Sequence, residues 1–255
     1  MKVSLVTVTF NSAKTLADTI ESVLRQDFDD YEYLIVDGGS KDSTVDIIKQ
    51  YEPRFDGKMR WISEPDKGMY DGINKGIRMA TGDVVGIINS DDFYHRSDIL
   101  RIVNDSFTQH PDIQAIYGDV RFVDPDDLET TVRYYSSKRF KPSRFRWGWM
   151  PAHPSFFTYR DNFEKYGYYH CDYYIAADYE LLIRFLYTNA LPSLYVPVDF
   201  MKMRTGGRST RGIKARLILN KEIVRACREN GIYTNLPMLF TKYFEKVFEL
   251  VKTKN

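Results

Sequence analysis

Four short apolar runs alternate with helix-like stretches over the first 90 residues, and this alternation restricts the chain to few architectures. Val3 to Phe10 alternates apolar and polar residues and is rich in β-branched side chains, the pattern of a strand. Tyr33-Leu34-Ile35-Val36, Met59 to Ser63 and Val84 to Ile88 read as three further strands. Asn11-Ser12 offers an N-cap to a helix through Leu16, Ile20, Val23 and Leu24. Ser40 or Asp42 caps a second, carrying Val45, Ile47 and Ile48. Tyr70 to Ala80 turns Ile73, Ile77 and Met79 inward, and Thr81-Gly82 ends it. Strand alternating with helix predicts an α/β fold: a mostly parallel central sheet with right-handed crossovers, flanked by helices. Neither a Gly-x-Gly-x-x-Gly turn nor a Gly-Lys-Ser/Thr loop follows the first strand, which disfavours ordinary dinucleotide and P-loop sites.

The remainder is less regular. Ser97 to Phe107 reads as a helix, Ala115 to Val120 as a strand and Ala176 to Tyr187 as a helix. Lys138 to Arg146 is a basic, Pro-interrupted loop. A long basic helix runs from about Ile213 to Glu229. A last helix places Leu236, Leu239, Phe240, Tyr243, Phe244, Val247, Phe248 and Val251 at three- and four-residue spacing. Such a stripe suits a membrane interface, or packing against the domain or a second copy of the chain.

The chain has 255 residues and a net charge of +1, so its total charge does not suggest a nucleic-acid binder. The distribution is uneven. From Lys202 onward there are 13 Lys and Arg against 4 Asp and Glu, and before it 23 against 31. An acidic body with a basic tail suits an anionic partner, either a membrane surface or a phosphate-bearing substrate. A solvated basic helix explains the same tail. No apolar run approaches the roughly 18 residues of a membrane span. Cys171 and Cys227 lack metal-ligand spacing, which argues against zinc or a disulfide framework and fits a reducing cytoplasm.

Three segments carry the chemistry. Val84 to Ile88 runs into Asn89-Ser90-Asp91-Asp92. In open α/β sheets ligands sit beyond the carboxyl ends of the strands, and two acids there suit a divalent cation shared with substrate phosphates. The same residues also read as an Asp-rich turn. Asp37-Gly38-Gly39-Ser40 follows the second strand and opens a helix, where an acid can bond a nucleobase or ribose and glycines let backbone approach a ligand. A tight turn with a good cap is the plainer reading. Ser63 to Gly76 packs acids, amides, lysines and glycines into one strand-to-helix connection; Asp71 and Lys75 alone read as a helical ion pair.

Taken in order, these segments resemble the family 2 glycosyltransferases, which have the GT-A fold. The resemblance rests on Val6 to Asn11, Leu34 to Thr44, Glu64 to Asp71, Asn74-Lys75-Gly76 and Thr81 to Asp92. It continues more thinly through Pro151 to Phe157, Ala177 to Leu181 and Gly206-Gly207-Arg208-Ser209. The nearest resemblance is to bacterial enzymes building colanic-acid-like and other surface polysaccharides. It implies a catalytic domain over 1–200, with a donor half (1–95) and an acceptor half (96–200), and a basic, amphipathic helical extension over 201–255. Asp37 would recognise the nucleobase of a nucleotide-sugar, with UDP preferred over GDP. Thr9, Asn11, Gly39, Asp66, Asn74 and Ser90 would line the donor pocket. Asp91, helped by Asp92, would bind Mg²⁺ or Mn²⁺. Asn89 stands where the family's first metal acid is expected, which leaves metal dependence open.

Asp178 matches the family's catalytic base, and Ala177 replaces the acid that usually precedes it. One positioned carboxylate suffices to take a proton from an acceptor hydroxyl as it attacks the anomeric carbon, inverting that centre. A first-turn acid complementing a helix dipole is the alternative, and Glu180 is the alternative base. His153 and Trp149 lie among aromatic residues that suit a sugar acceptor, although a lone His there also reads as packed core. The expected acceptor is a glycan or lipid-linked saccharide, at the inner face of the cell membrane. A sugar-nucleotide nucleotidyltransferase would want a Gly-rich basic loop where Asn11-Ser12-Ala13-Lys14 stands. A binding module without catalysis would account for Asn89 and Ala177.

Overall fold

The computed structural model describes residues 1–206 and 212–241. Its N-terminal half is four parallel strands: β1 (Val3–Thr9), β2 (Tyr31–Asp37), β3 (Met59–Ser63) and β4 (Val84–Ile87), in the order β3-β2-β1-β4. Every residue of β1, β2 and β4 is buried. Helices on both faces explain this, and explain why these strands read as near-continuous apolar runs. Val3 and Leu5 of β1 face α1 (Leu16–Leu24) and α2 (Thr44–Tyr51) through Leu16, Ile20 and Ile48. Val6 and Val8 face α3 (Met69–Met79) through Tyr70, Ile73 and Ile77.

Register decides where a site can form. Thr9 pairs with Asp37, and Asp37 with Ser63, so β1, β2 and β3 end level. β4 pairs Val6 with Ile87 on the other side of β1. The strand order reverses direction between β1 and β4, and a crevice opens at such a reversal, outside the carboxyl ends.

Beyond β4 the sheet becomes mixed. It adds β5 (Asp92–Tyr94), β6 (Ala115–Val123), β7 (Thr131–Tyr135), β8 (Phe157–Tyr159) and β9 (Ser193–Arg204), continuing as β4-β8-β6-β9-β5 with β7 against β6. β8 lies antiparallel to both β4 and β6, whereas β6 and β9 are parallel. Gly86 makes the β4–β8 seam possible, since a Cβ there would sit 2.1 Å from Cε1 of Phe157. α4 (Ile99–Gln109) covers one face. α5 (Asp161–Tyr166), α6 (Ala177–Ile183) and the π-helical turn Arg184–Thr188 cover the other.

The boundary expected at residue 200 falls inside β9, whose pairing to β6 runs on to Arg204. α7 (Gly212–Glu229) buries Ile223, Ala226 and Cys227 in the cluster that holds Leu181 and Leu182 of α6. Residues 236–241 are helical, with Leu239 buried and Leu236 and Phe240 exposed. The rest of the expected apolar stripe, from Tyr243, and Gly207-Arg208-Ser209 lie outside the described residues. No helix among the described residues is long and apolar enough to cross a membrane.

Candidate functional site

The carboxyl ends of β1 to β4 bring together Thr9, Asn11, Asp37, Gly39, Asp66, Ser90 and Asp91, which come from four separate connections. Hydrogen bonds lock these connections to each other. Asn11, in the left-handed region at φ 50°, donates its N–H to Ser40 Oγ (2.7 Å) and accepts the Lys41 N–H on Oδ1 (2.8 Å). Ser12 Oγ meets Ser90 Oγ at 2.9 Å, and Thr15 Oγ1 donates to the Ser90 carbonyl at 2.8 Å. Thr9 Oγ1 is buried with no hydrogen-bond partner, an arrangement that costs roughly 1–3 kcal/mol if left so.

Asp37 is fully buried and organises the loop that follows it. Its Oδ2 accepts the N–H groups of Gly39 (3.1 Å) and Ser40 (3.0 Å) and the Ser63 hydroxyl (2.6 Å). The Ser40 hydroxyl donates to Oδ1. The turn needs glycine twice: Gly39 has φ +81°, and a Cβ on Gly38 would lie 2.7 Å from Asp66 Oδ2. Asp66 in turn accepts the Gly68 N–H at 2.8 Å, shaping the entry to α3. Phe10 stands 61% exposed at this edge, a ring that the alternating pattern of β1 gave no reason to single out.

The two adjacent acids differ. Asp91 is half-buried, and its carboxylate makes no hydrogen bond or ion pair among the described residues. Asp92 opens β5, is buried and accepts the Asn89 side-chain N–H at 2.9 Å. Burial, with Asp91 beside it, pushes its carboxyl well above the usual range. Asp92 therefore braces Asn89 rather than presenting a ready carboxylate to a cation. Arg204 of β9 donates to the Asp91 carbonyl and to Asp18, fixing the turn from behind. No group of three or more His, Cys, Asp or Glu side chains suited to a metal occurs among the described residues. One free carboxylate fits Mg²⁺ or Mn²⁺ where phosphate oxygens supply further ligands.

Asn74 is engaged elsewhere. Its Nδ2 donates to the Tyr169 carbonyl (2.8 Å), its Oδ1 accepts the Tyr169 N–H (3.0 Å), and Cys171 Sγ lies 3.4 Å from Nδ2. It ties α3 to the segment before α6, with both side-chain polar atoms already bonded there.

Asp178 is the second residue of α6. Burial pushes its carboxyl up to about 6, against the backbone N–H groups of Tyr179 (2.8 Å) and of Asp178 itself, which favour the charged form. Tyr70 and Tyr169 stack at 5.9 Å, and both phenols are pushed up, by burial first and then by the Asp178 charge. Tyr70 also donates its hydroxyl to the Ile175 carbonyl, so α3 and the approach to α6 are joined. Beside this junction is a cavity of about 230 Å³ lined by Lys67–Asp71 and Cys171–Tyr174. Asp178 thus stands beside the helix that the Asp66 loop introduces, with a carboxyl poised near neutral pH.

Glu180 is not an alternative base. It is buried and held by both arms of Arg184, at 3.0 Å to Nε and 2.8 Å to Nη2. Arg184 also donates to the carbonyls of Tyr166, Gly167 and Tyr168, clamping the turn after α5. Of the acceptor residues expected at His153 and Trp149, the histidine is committed. His153 is 8% exposed, its Nε2 lies 2.7 Å from the Tyr169 hydroxyl, and burial pushes it down to about 4. It is a neutral, packed histidine. Trp149 is half-buried, stacked on Tyr135 at 6.4 Å, with the Arg144 guanidinium over the ring at 5.3 Å.

Comparison with known proteins gives this arrangement a family. Residues 4–168 match the family described as glycosyl transferase family 2. A PGL/p-HBAD biosynthesis glycosyltransferase of Mycobacterium tuberculosis is 29% identical over 195 residues, covering 76% of this chain and 73% of that protein. An uncharacterized glycosyltransferase of the same species is 31% identical over 185 residues, covering 71% and 68%. Among solved structures, S. aureus TarS 1-349 in complex with UDP-GlcNAc has a TM-score of 0.65 at 18% identity, covering 88% of this chain and 67% of that one. The mannosyltransferase PcManGT from Pyrobaculum calidifontis, in complex with GDP-Man and Mn²⁺, has a TM-score of 0.66 at 19% identity, covering 92% and 66%. The chain spans 40% of the longer TarS chain. These likenesses confirm the expected GT-A fold and set the nucleotidyltransferase reading aside. The chain belongs to the family 2 glycosyltransferases.

Proposed function

We propose that the protein is an inverting glycosyltransferase that moves a sugar from a nucleotide diphosphate, UDP in preference to GDP, to a hydroxyl of a glycan or lipid-linked saccharide in surface polysaccharide synthesis. The observation that carries this reading is Asp178, a single carboxyl lifted to about 6 at the helix junction beside the donor edge. A base of that strength is ionised at pH 7 yet keeps enough proton affinity to accept a hydroxyl proton as it departs. The acceptor oxygen attacks the anomeric carbon, its proton passes to Asp178, and the bond to the diphosphate breaks with its electron pair leaving on the diphosphate. One displacement of this kind inverts the anomeric centre.

The donor half of the chain binds and orients. The Asp37 turn and the exposed Phe10 ring flank the place where a nucleobase would lie, and Thr9 Oγ1 awaits a partner. Asp91 would hold Mg²⁺ or Mn²⁺ together with the donor's diphosphate, and the cation when bound offsets charge on that leaving group. The cavity between α3 and the Cys171–Tyr174 segment offers tyrosine faces and carboxylates, the chemistry that sugars bind. Arg139 and Arg146 are exposed on the Lys138–Arg146 segment, where a lipid diphosphate would find charge complementarity.

The test is release of nucleoside diphosphate from a panel of UDP- and GDP-sugars, each offered with saccharide acceptors, by the wild type and Asp178→Asn. Release with one donor, abolished by the substitution while nucleotide binding persists, is the expected result. Undiminished release by Asp178→Asn would overturn the assignment. No release from any donor, with binding intact, would favour a binding module that has lost catalysis.

A further inference from the structure

The segment that delivers Asp178 is held from α7, in the C-terminal part of the chain. Glu222, half-buried on α7, accepts three consecutive backbone N–H bonds: Tyr174 to Oε1 at 2.7 Å, and Ile175 and Ala176 to Oε2 at 2.9 Å each. Ala176 is the residue from which α6 starts, two positions before Asp178. Tyr70 of α3 also holds this segment, by its bond to the Ile175 carbonyl. One turn along α7, Arg225 pairs with Asp172 and lies over the Tyr173 ring at 4.2 Å. Glu229 then accepts the Tyr173 hydroxyl at 2.6 Å. The spacing 222, 225, 229 puts all three side chains on one face of the helix.

We propose that Glu222 is a positioning residue for the transfer reaction, fixing the 174–176 segment and with it the Asp178 carboxylate. The inference rests on the reading of Asp178 as the base. A carboxylate is well suited to the task, since it accepts several N–H bonds at once and such charge-assisted bonds are the strong ones. Removing it strands three backbone donors in a partly buried place. It has a second consequence. The groups that act on Asp178 are Tyr70 from α3, Tyr169 from the segment before α6 and Glu222 from α7. Both phenols are uncharged at neutral pH, so Glu222 is the charge among them, and it disfavours a second negative charge on the base.

The experiment compares wild type, Glu222→Gln, Glu222→Ala and Asp178→Asn for nucleotide release against pH and for UDP binding. Misplacing a base by about 1 Å costs on the order of a hundredfold, so Glu222→Ala should lower kcat by about ten- to a hundredfold while UDP affinity stays within about twofold. Glu222→Gln keeps the size but loses the charge and one acceptor oxygen, leaving at most the two bonds to Ile175 and Ala176; its acid limb of kcat should move to lower pH. If Glu222→Ala does not fold, Glu222→Gln decides alone. Variants that lose thermal stability yet keep the wild-type kcat and acid limb would overturn the proposal, provided Asp178→Asn is inactive. An active Asp178→Asn would overturn the underlying reading of the base instead.

Discussion

Replacing Asp178 by Asn should make the protein more stable and inactive, and the gain should depend on pH in a defined way. The carboxyl is displaced from 3.8 to about 6 by burial. Each pH unit of such displacement corresponds to about 1.4 kcal/mol, so the ionised form carries a cost of about 3 kcal/mol relative to the unfolded chain. The sign follows from proton binding. Between about pH 4 and 6 the folded protein holds this proton and the unfolded chain has released it, so stability falls as pH rises through that window. Above pH 6 the full cost is present, and below pH 4 it is absent. Asparagine keeps a carbonyl for the Tyr179 N–H, now 2.8 Å from the carboxylate, and removes the charge. Asp178→Asn should therefore exceed the wild type by about 2–3 kcal/mol at pH 7.5, roughly 5–10 °C in Tm for a chain of this size. At pH 4 the two should coincide. Urea unfolding of both proteins at the two pH values measures this directly. A variant equally or less stable at pH 7.5 would refute the claim that the site holds a desolvated carboxylate, because other ionisations cancel in the difference.

Three further outcomes follow from the same geometry. The acid limb of kcat should lie near pH 6, since Asp178 must lose its proton to act; a limb near 4 in a pH–rate profile would show an ordinary solvated carboxylate at work. Glu180→Gln should destabilise by about 3–5 kcal/mol, because it leaves the Arg184 guanidinium, only 12% exposed, without its carboxylate; denaturant titration checks this, and a loss under 1 kcal/mol would contradict it. Gly86→Ala should cost about 1–3 kcal/mol by forcing Phe157 off the β4–β8 seam, read as a lower Tm with the same secondary structure by circular dichroism.

The parallel half was legible because its signals are local. Each strand is a short apolar run, each helix has a 3.6-residue apolar period, and the polar residues ending the strands necessarily share one edge once the strands are parallel. The second half hides its strands. β5 and β8 have three residues each, too few for a period to show. β9 contains Pro197, which lacks the N–H of a ladder bond, and the pairing to β6 shifts register there, between Tyr117↔Tyr195 and Asp119↔Asp199. Side-chain roles set by distant partners were equally invisible. Asn74 looked like a pocket residue, but its partner Tyr169 lies 95 residues away. His153 was read with its aromatic neighbours in sequence, whereas its partner in space is Tyr169. Asp91 and Asp92 are adjacent in sequence and point to different surroundings because β5 begins between them. Glu222 carried no signal of its own: an acid in a basic helix is unremarkable until the fold brings three backbone N–H groups to it.

The most direct test of the donor edge is calorimetric binding of UDP and GDP, with and without Mn²⁺, to the wild type and to Asp91→Ala. Binding of one nucleotide that strengthens with Mn²⁺, with that gain lost in the variant, is the predicted result. Absence of binding by either nucleotide to well-folded protein would contradict the assignment of the four strand ends as a nucleotide-sugar site.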